Sequence, residues 1–155
     1  MGNTERPGVI SALGVVSFAN TGLFLLIYGL GLLAMAGVRS IPYEEFVSKA
    51  NEAIGPYLST MSAEEAATMP DMLELIYNSG ALLCGLLLLR TAVRFIGVLG
   101  MWKGRRSGFY TYALAQLGGI FLPHLVLPFK YMGFFGPLLA VVFTAIYGTQ
   151  LKRMG

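Results

Sequence analysis

Arg90 and Arg94 are the only charges between Ala81 and Met101. A four-residue spacing puts both guanidiniums on one face of a helix. Each guanidinium is a permanent cation with a planar fork of N–H donors, the geometry that grips carboxylates and phosphates. Counting back from Lys103 at 1.5 Å per residue, Arg94 lies about 13 Å and Arg90 about 20 Å inside an apolar run. Cations at that depth in lipid cost several kcal/mol, and the apolar runs hold no Asp or Glu beyond Glu74 at the outer end of the second to offset them. Three roles fit such a pair: long side chains that reach back to the interface, contacts to a partner subunit or an anionic lipid, and capture of an anionic solute.

Neutral partners are available at matching depth. Gln116 lies about 14 Å inside the basic turn and Thr144 about 12 Å inside Lys152, which predicts a polar layer of Arg90, Arg94, Gln116 and Thr144, with Tyr112 and Tyr147 nearby. Hydrogen bonds of this kind between helices in lipid contribute about 0.6–2 kcal/mol, enough to hold a bundle without any ligand. At the opposite end, His124 follows Pro123 and is placed to face Glu74 and Asn78, giving an outer polar cluster in which a histidine could sense pH. One histidine without Cys or His companions does not make a metal site. Gly136, Ala140, Thr144 and Gly148 recur every fourth residue and line one helix face with small side chains, a packing seam against another helix or another copy. Thr111, Ala115 and Gly119 repeat the pattern, and Gly14, Gly22 and Gly29 do so more loosely. The chain holds no phosphate-cradling Gly loop, HExxH, GxSxG or CxxC, and its lone Cys84 forms no internal disulfide. No catalytic group, metal or cofactor is assigned.

The elements that must position these residues follow from composition. Hydrophobic residues make up 55% of the 155 and charged residues only 12%, which a small water-soluble fold cannot bury. The reading is an all-α integral membrane protein, a single antiparallel bundle of four transmembrane helices over about 9–37, 72–101, 108–127 and 131–149. Each run approaches or exceeds the roughly 20 residues that a ~30 Å hydrocarbon core requires. A signal peptide cut after Ala19 is disfavoured because Glu5 cancels Arg6 and the apolar run continues past it. Between the first two spans, 39–71 is an acidic outer loop carrying Glu44, Glu45, Glu52, Glu64, Glu65 and Asp71. Ile41 to Val47, followed by Ala50 and Ile54, has helical apolar spacing, with Gly55-Pro56 as its stop. Ser62 and Glu65 match a capping box that opens a second short helix ending before Pro70. Lys103, Arg105, Arg106, Lys152 and Arg153 place the second connection and the C-terminus in the cytoplasm, and four crossings then put the N-terminus there with Arg6.

The turn Met101-Trp102-Lys103-Gly104-Arg105-Arg106 is similar to the Trp- and Lys/Arg-rich turn of small bacterial four-span proteins of unassigned role, which implies a bacterial inner (plasma) membrane. The second-helix Glu, Arg and Asn run of the four-span glutathione-using enzymes is not present, nor is the cysteine pair of the four-span quinone reductases. The net charge of +3 is scattered over segment ends and does not point to nucleic acid. The leading functional expectation is a non-catalytic subunit or scaffold of a membrane complex, whose partners are the bilayer and a protein or second copy docked on the small-residue faces. Transport or permeation of a small solute or ion is the alternative. An enzyme holding an anionic lipid or quinone through Arg90 and Arg94 ranks below it.

Overall fold

The structure is a computed structural model and describes residues 8–131 and 133–153; Glu5 and Arg6 lie outside the described residues. It is helical throughout, with five α-helices: α1 Gly8–Val38, α2 Tyr43–Leu58, α3 Ala63–Trp102, α4 Arg106–Leu117 and α5 Phe135–Thr149. Three short 3-10 turns, Gly118–Ile120, Leu122–Leu125 and Phe129–Tyr131, connect α4 to α5, and a fourth closes the described chain.

Helices α1 and α3 form a long antiparallel pair. Gly14 faces the Trp102 ring, Asn20 meets Arg94, Gly31 lies against Cys84, Gly80 makes room for Met35, and Arg39 donates to the Asn78 carbonyl. These two helices are each long and apolar enough to cross a membrane. In their most apolar windows only 6% and 17% of residues are buried within the molecule, so Leu23, Leu26, Leu30, Leu33, Leu82 and Leu89 present their side chains outward. A core helix of a water-soluble domain buries that surface; here it is left exposed.

The core sits beside the basic turn. Val98, Met101, Tyr112 and Tyr147 are its buried centre, ringed by Leu13, Phe18 and Phe109. Tyr112 and Tyr147 meet edge to face at 5.0 Å, and Phe18 sets its edge against both Phe95 and Trp102. The Tyr147 hydroxyl joins Ser17 at 2.9 Å, linking α5 to α1. The turn from α3 to α4 is closed by Gly104 at φ +75°, with Arg105 N–H donating to the Gly100 carbonyl and Gly104 N–H to that of Met101. This is the paired-bond helix stop that favours glycine at the left-handed position.

Several expected boundaries differ. Neither Pro56 nor Pro70 ends a helix: α2 runs through the first and α3 through the second. Both prolines are exposed, so the carbonyl that each deprives of a donor can turn to solvent. The short capped helix and the second span are therefore one 40-residue helix, about 60 Å long. The expected third span over 108–127 is not one continuous α-helix. α4 stops after 12 residues, where Gly118-Gly119 weakens helix propagation and Pro123 withholds a donor, and tight 3-10 turns take over. α5, the core of the expected fourth span, has 15 residues. α2 lies against α3 through Phe46, Tyr43 and Tyr77, with the Tyr77 hydroxyl donating to the Ile41 carbonyl.

The capping box at the start of α3 forms as expected. Glu65 N–H donates to the Ser62 hydroxyl, while the Ser62 amide and hydroxyl both donate to the Glu65 carboxylate at 2.8 and 2.9 Å. These two bonds, the backbone one first, hold the Glu65 carboxyl below the usual carboxylate range. A depressed folded value means the cap stabilises fully above the ordinary carboxylate pKa and is lost as pH falls through the folded value. Replacing Ser62 by Ala should cost the first turn of α3 about 1 kcal/mol. Amide exchange of residues 64–68 reads this, and unchanged protection would refute it.

Candidate functional site

The four helices α1, α3, α4 and α5 separate just beyond the core, and a cavity of about 290 Å³ opens between them. Its polar wall consists of Arg90, Arg94 and Thr91 from α3, Tyr112 and Gln116 from α4, and Ser17, Asn20 and Thr21 from α1. Its apolar wall is Val16, Phe24 and Tyr28 on α1, Leu87 on α3, and Leu139 and Phe143 on α5. Val16 and Leu139 are themselves half exposed to the outside, so the cavity has an apolar mouth between α1 and α5.

The two arginines differ in what they do. The Arg90 Nε and Nη2 donate at 3.3 Å to the carbonyls of Ala115 and Gln116, in the last turn of α4. Carbonyls at a helix end lack intrahelical donors and carry the negative end of the helix dipole, so Arg90 acts as a C-terminal cap for the interrupted helix. Gly119 is what lets it lie there, because a Cβ at that position would run into the Arg90 side chain. Arg94 instead reaches side chains: Nη2 donates to Asn20 Oδ1 at 2.7 Å and Nη1 to Gln116 Oε1 at 3.3 Å. Its Nε is buried and has no acceptor. A guanidinium offers five N–H donors, and each arginine uses two of them. Among the described residues no carboxylate pairs with either arginine; the ion pair found there joins Lys49 to Glu45 in α2. The site therefore combines two positive charges, unused donors and a cavity beside them.

Of the residues singled out from sequence, Arg90, Arg94 and Gln116 come together. Thr144 is buried, but its hydroxyl bonds back to the Ala140 carbonyl within α5 and does not join them. Glu74, Asn78 and His124 share no hydrogen bond or ion pair. The His124 Nδ1 meets the Leu127 carbonyl and its ring stacks on Phe129, while Glu74 and Asn78 are exposed on α3. The small-residue seam of α5 is divided. Ala140 and Thr144 are buried within the bundle, Gly148 lies against Phe109, and Gly136 borders the cavity. Asn20 was not anticipated from the sequence, although it holds the shortest bond to Arg94. The signal was present: Asn20 is the one side-chain amide in the charge-free first run.

No family model matches the chain, no curated protein matches it, and no solved structure matches it.

Proposed function

We propose that this chain is a four-span integral membrane protein that binds an oxyanion carried on a lipid-soluble molecule, held by Arg94 together with Arg90. The observation that carries this reading is the pair of cations with unused donors and no carboxylate partner, at the back of a cavity whose mouth is apolar. Uncompensated charge at such depth is costly, and a bound anion removes the cost. The apolar mouth between α1 and α5 suits a ligand with an acyl or prenyl tail. The hydroxyls of Ser17, Thr21 and Thr91 in the lining bond to the Tyr147 hydroxyl and to the Ser17 and Leu87 carbonyls rather than to a base that could activate them, which favours binding, carriage or presentation of the ligand over its chemical conversion.

The four-span arrangement is part of the same proposal. α4 and α5 measure about 18 and 22 Å, short of a full crossing as helices, and the 3-10 turns between them supply the remaining depth. Irregular backbone is tolerated at membrane depth where it lines a cavity, as these turns do. The basic residues of the α3–α4 turn, with Lys152 and Arg153, favour the cytoplasmic side for both ends of this segment. An even number of passages, or a hairpin of α4 and α5 that enters and leaves on one face, gives the same placement. The bacterial inner membrane remains the proposed location.

The test is melting of the purified protein in an uncharged detergent with oleate or lysophosphatidate, against monooleoylglycerol as the neutral match. An anionic amphiphile at 100 times its Kd should add about 2.7 kcal/mol of stability. Equal stabilisation by monooleoylglycerol would sink the proposal. A second reading, a subunit or scaffold of a membrane complex, is favoured by Gly22 and Gly29 on α1, where an added Cβ meets nothing and another helix could approach.

A further inference from the structure

A second cavity, about 230 Å³, lies on the far side of Arg90 from the basic turn, and Arg90 and Gly136 line both. We infer that this second cavity is the entry for the charged head, which descends from the loop end along α5 to reach Arg94 while the tail lies in the apolar mouth between α1 and α5. The inference rests on the ligand class proposed above and adds the route.

Three features of the structure support a route on this side. The basic-turn end is shut, because Val98, Met101 and Tyr147 are each 1% exposed and Tyr112 is 3% exposed directly beneath the site. On the loop side the passage is kept open by residues without side chains. A Cβ added at Gly133, or at Gly136 where the two cavities meet, would find no atom within 4 Å. The third feature is charge. The sequence has no acidic residue after Glu74, so the lining contributed by 118–137 holds no carboxylate; Arg90 is the formal charge in the wall, and Lys130, outside the lining, sits 5.0 Å from the ring of the wall residue Tyr131. A low-dielectric passage lined by one sign of charge draws in ions of the other. Arg90 stands where the cavities meet, with three of its five donors unused, and can hand an oxyanion on to Arg94 four residues deeper.

The route is tested by binding kinetics of oleate, with acetate as the water-soluble carboxylate, on wild type, Gly133→Leu and Gly133→Ser in detergent. Gly133 lines the second cavity and not the first, so a leucine there obstructs the path and leaves the site intact. A barrier on a route raises the crossing state and neither end state. Gly133→Leu should therefore slow association and dissociation of oleate by about tenfold each, with Kd within about twofold of wild type. Gly133→Ser should keep wild-type rates. Wild-type rates in a folded Gly133→Leu overturn the route and leave the site reading standing. Should Gly133→Leu fail to fold, Gly133→Cys in a Cys84→Ala background takes its place: bound oleate should slow its modification by a membrane-impermeant thiol reagent at least fivefold, and unchanged modification overturns the route. Failure of wild type to bind oleate removes the site reading, and the route falls with it. Displacement of oleate by millimolar acetate assigns the head alone as the recognised group; no displacement assigns the whole amphiphile.

Discussion

Replacing Arg94 by Met should abolish tight binding of an anionic amphiphile while leaving the unliganded protein as stable as wild type or more so; replacing Arg90 by Met should do the reverse to stability. The contrast follows from where each guanidinium spends its donors. Arg94 bonds two side-chain amide oxygens, Asn20 Oδ1 and Gln116 Oε1, in a cavity where water can take its place, and its buried Nε is unsatisfied. Removing an uncompensated, partly desolvated charge in favour of an apolar side chain of similar length is commonly neutral or stabilising. Removing the group that grips the anion should cost about 2–4 kcal/mol of binding, a 30-fold loss of affinity or more. Arg90 caps the carbonyls of Ala115 and Gln116, so Arg90→Met strands two acceptors at about 1–3 kcal/mol each. A drop in melting temperature of roughly 5–10 °C follows for a chain of this size. Thermal melting with and without oleate reads both effects. A large loss of stability in unliganded Arg94→Met would show that Arg94 is a structural strut, and the proposed ligand site would lose its main support.

The arginine layer was legible because depth can be counted. Arg94 and Gln116 lie at equal distances on either side of one basic turn, and an antiparallel hairpin folded at that turn must bring them level. The same count misplaced Thr144, since depth says nothing about rotation: its hydroxyl faces back along α5 and satisfies itself on Ala140. His124 shows a different failure. The expectation that it faces Glu74 and Asn78 assumed a continuous third helix. Once Gly118-Gly119 and the two following prolines break α4 into turns, the histidine ring is carried onto Phe129. Hydropathy sees an unbroken apolar run over 108–127 because glycine and proline barely register on it, whereas backbone propensity decides the outcome. Pro56 and Pro70 misled in the opposite sense. Each is a strong stop in isolation, but an exposed proline costs only one backbone bond, and the capping box and long apolar run on either side of Pro70 hold α3 together. The coarse architecture, all helical with long apolar helices and an acidic helical loop, depends on composition and length and so was readable. The cavity depends on where helices part, and side-chain volumes at Gly97, Gly100 and Gly119 set that only in three dimensions.

Gly97→Ala should lower both stability and ligand affinity, although alanine is the better helix former. At Gly97 an added Cβ would lie 2.6 Å from the Tyr112 backbone nitrogen and 2.7 Å from its Cα; at Gly100 it would lie 2.6 Å from the Gly108 Cα. These are backbone contacts, so no side chain can swing away, and α4 itself must move off α3. The intrinsic gain from Gly to Ala in a helix is about 1 kcal/mol. The cost of forcing two packed backbones apart is about 1–3 kcal/mol or more, and here it wins because the displaced helix carries Tyr112 of the core. The same shift withdraws the Ala115 and Gln116 carbonyls from Arg90 and the Gln116 amide oxygen from Arg94, so the site loosens with the fold. A fall in melting temperature of roughly 3–8 °C is expected, together with weaker oleate binding. Gly85→Ala is the matched control: it lies in the same helix with nothing within 4 Å of its added Cβ, so the propensity gain acts alone and the protein should melt at or above the wild-type temperature. If Gly97→Ala instead stabilises to the same degree as Gly85→Ala, then α3 and α4 are not in backbone contact, and the register that brings Gln116 to the arginines is wrong.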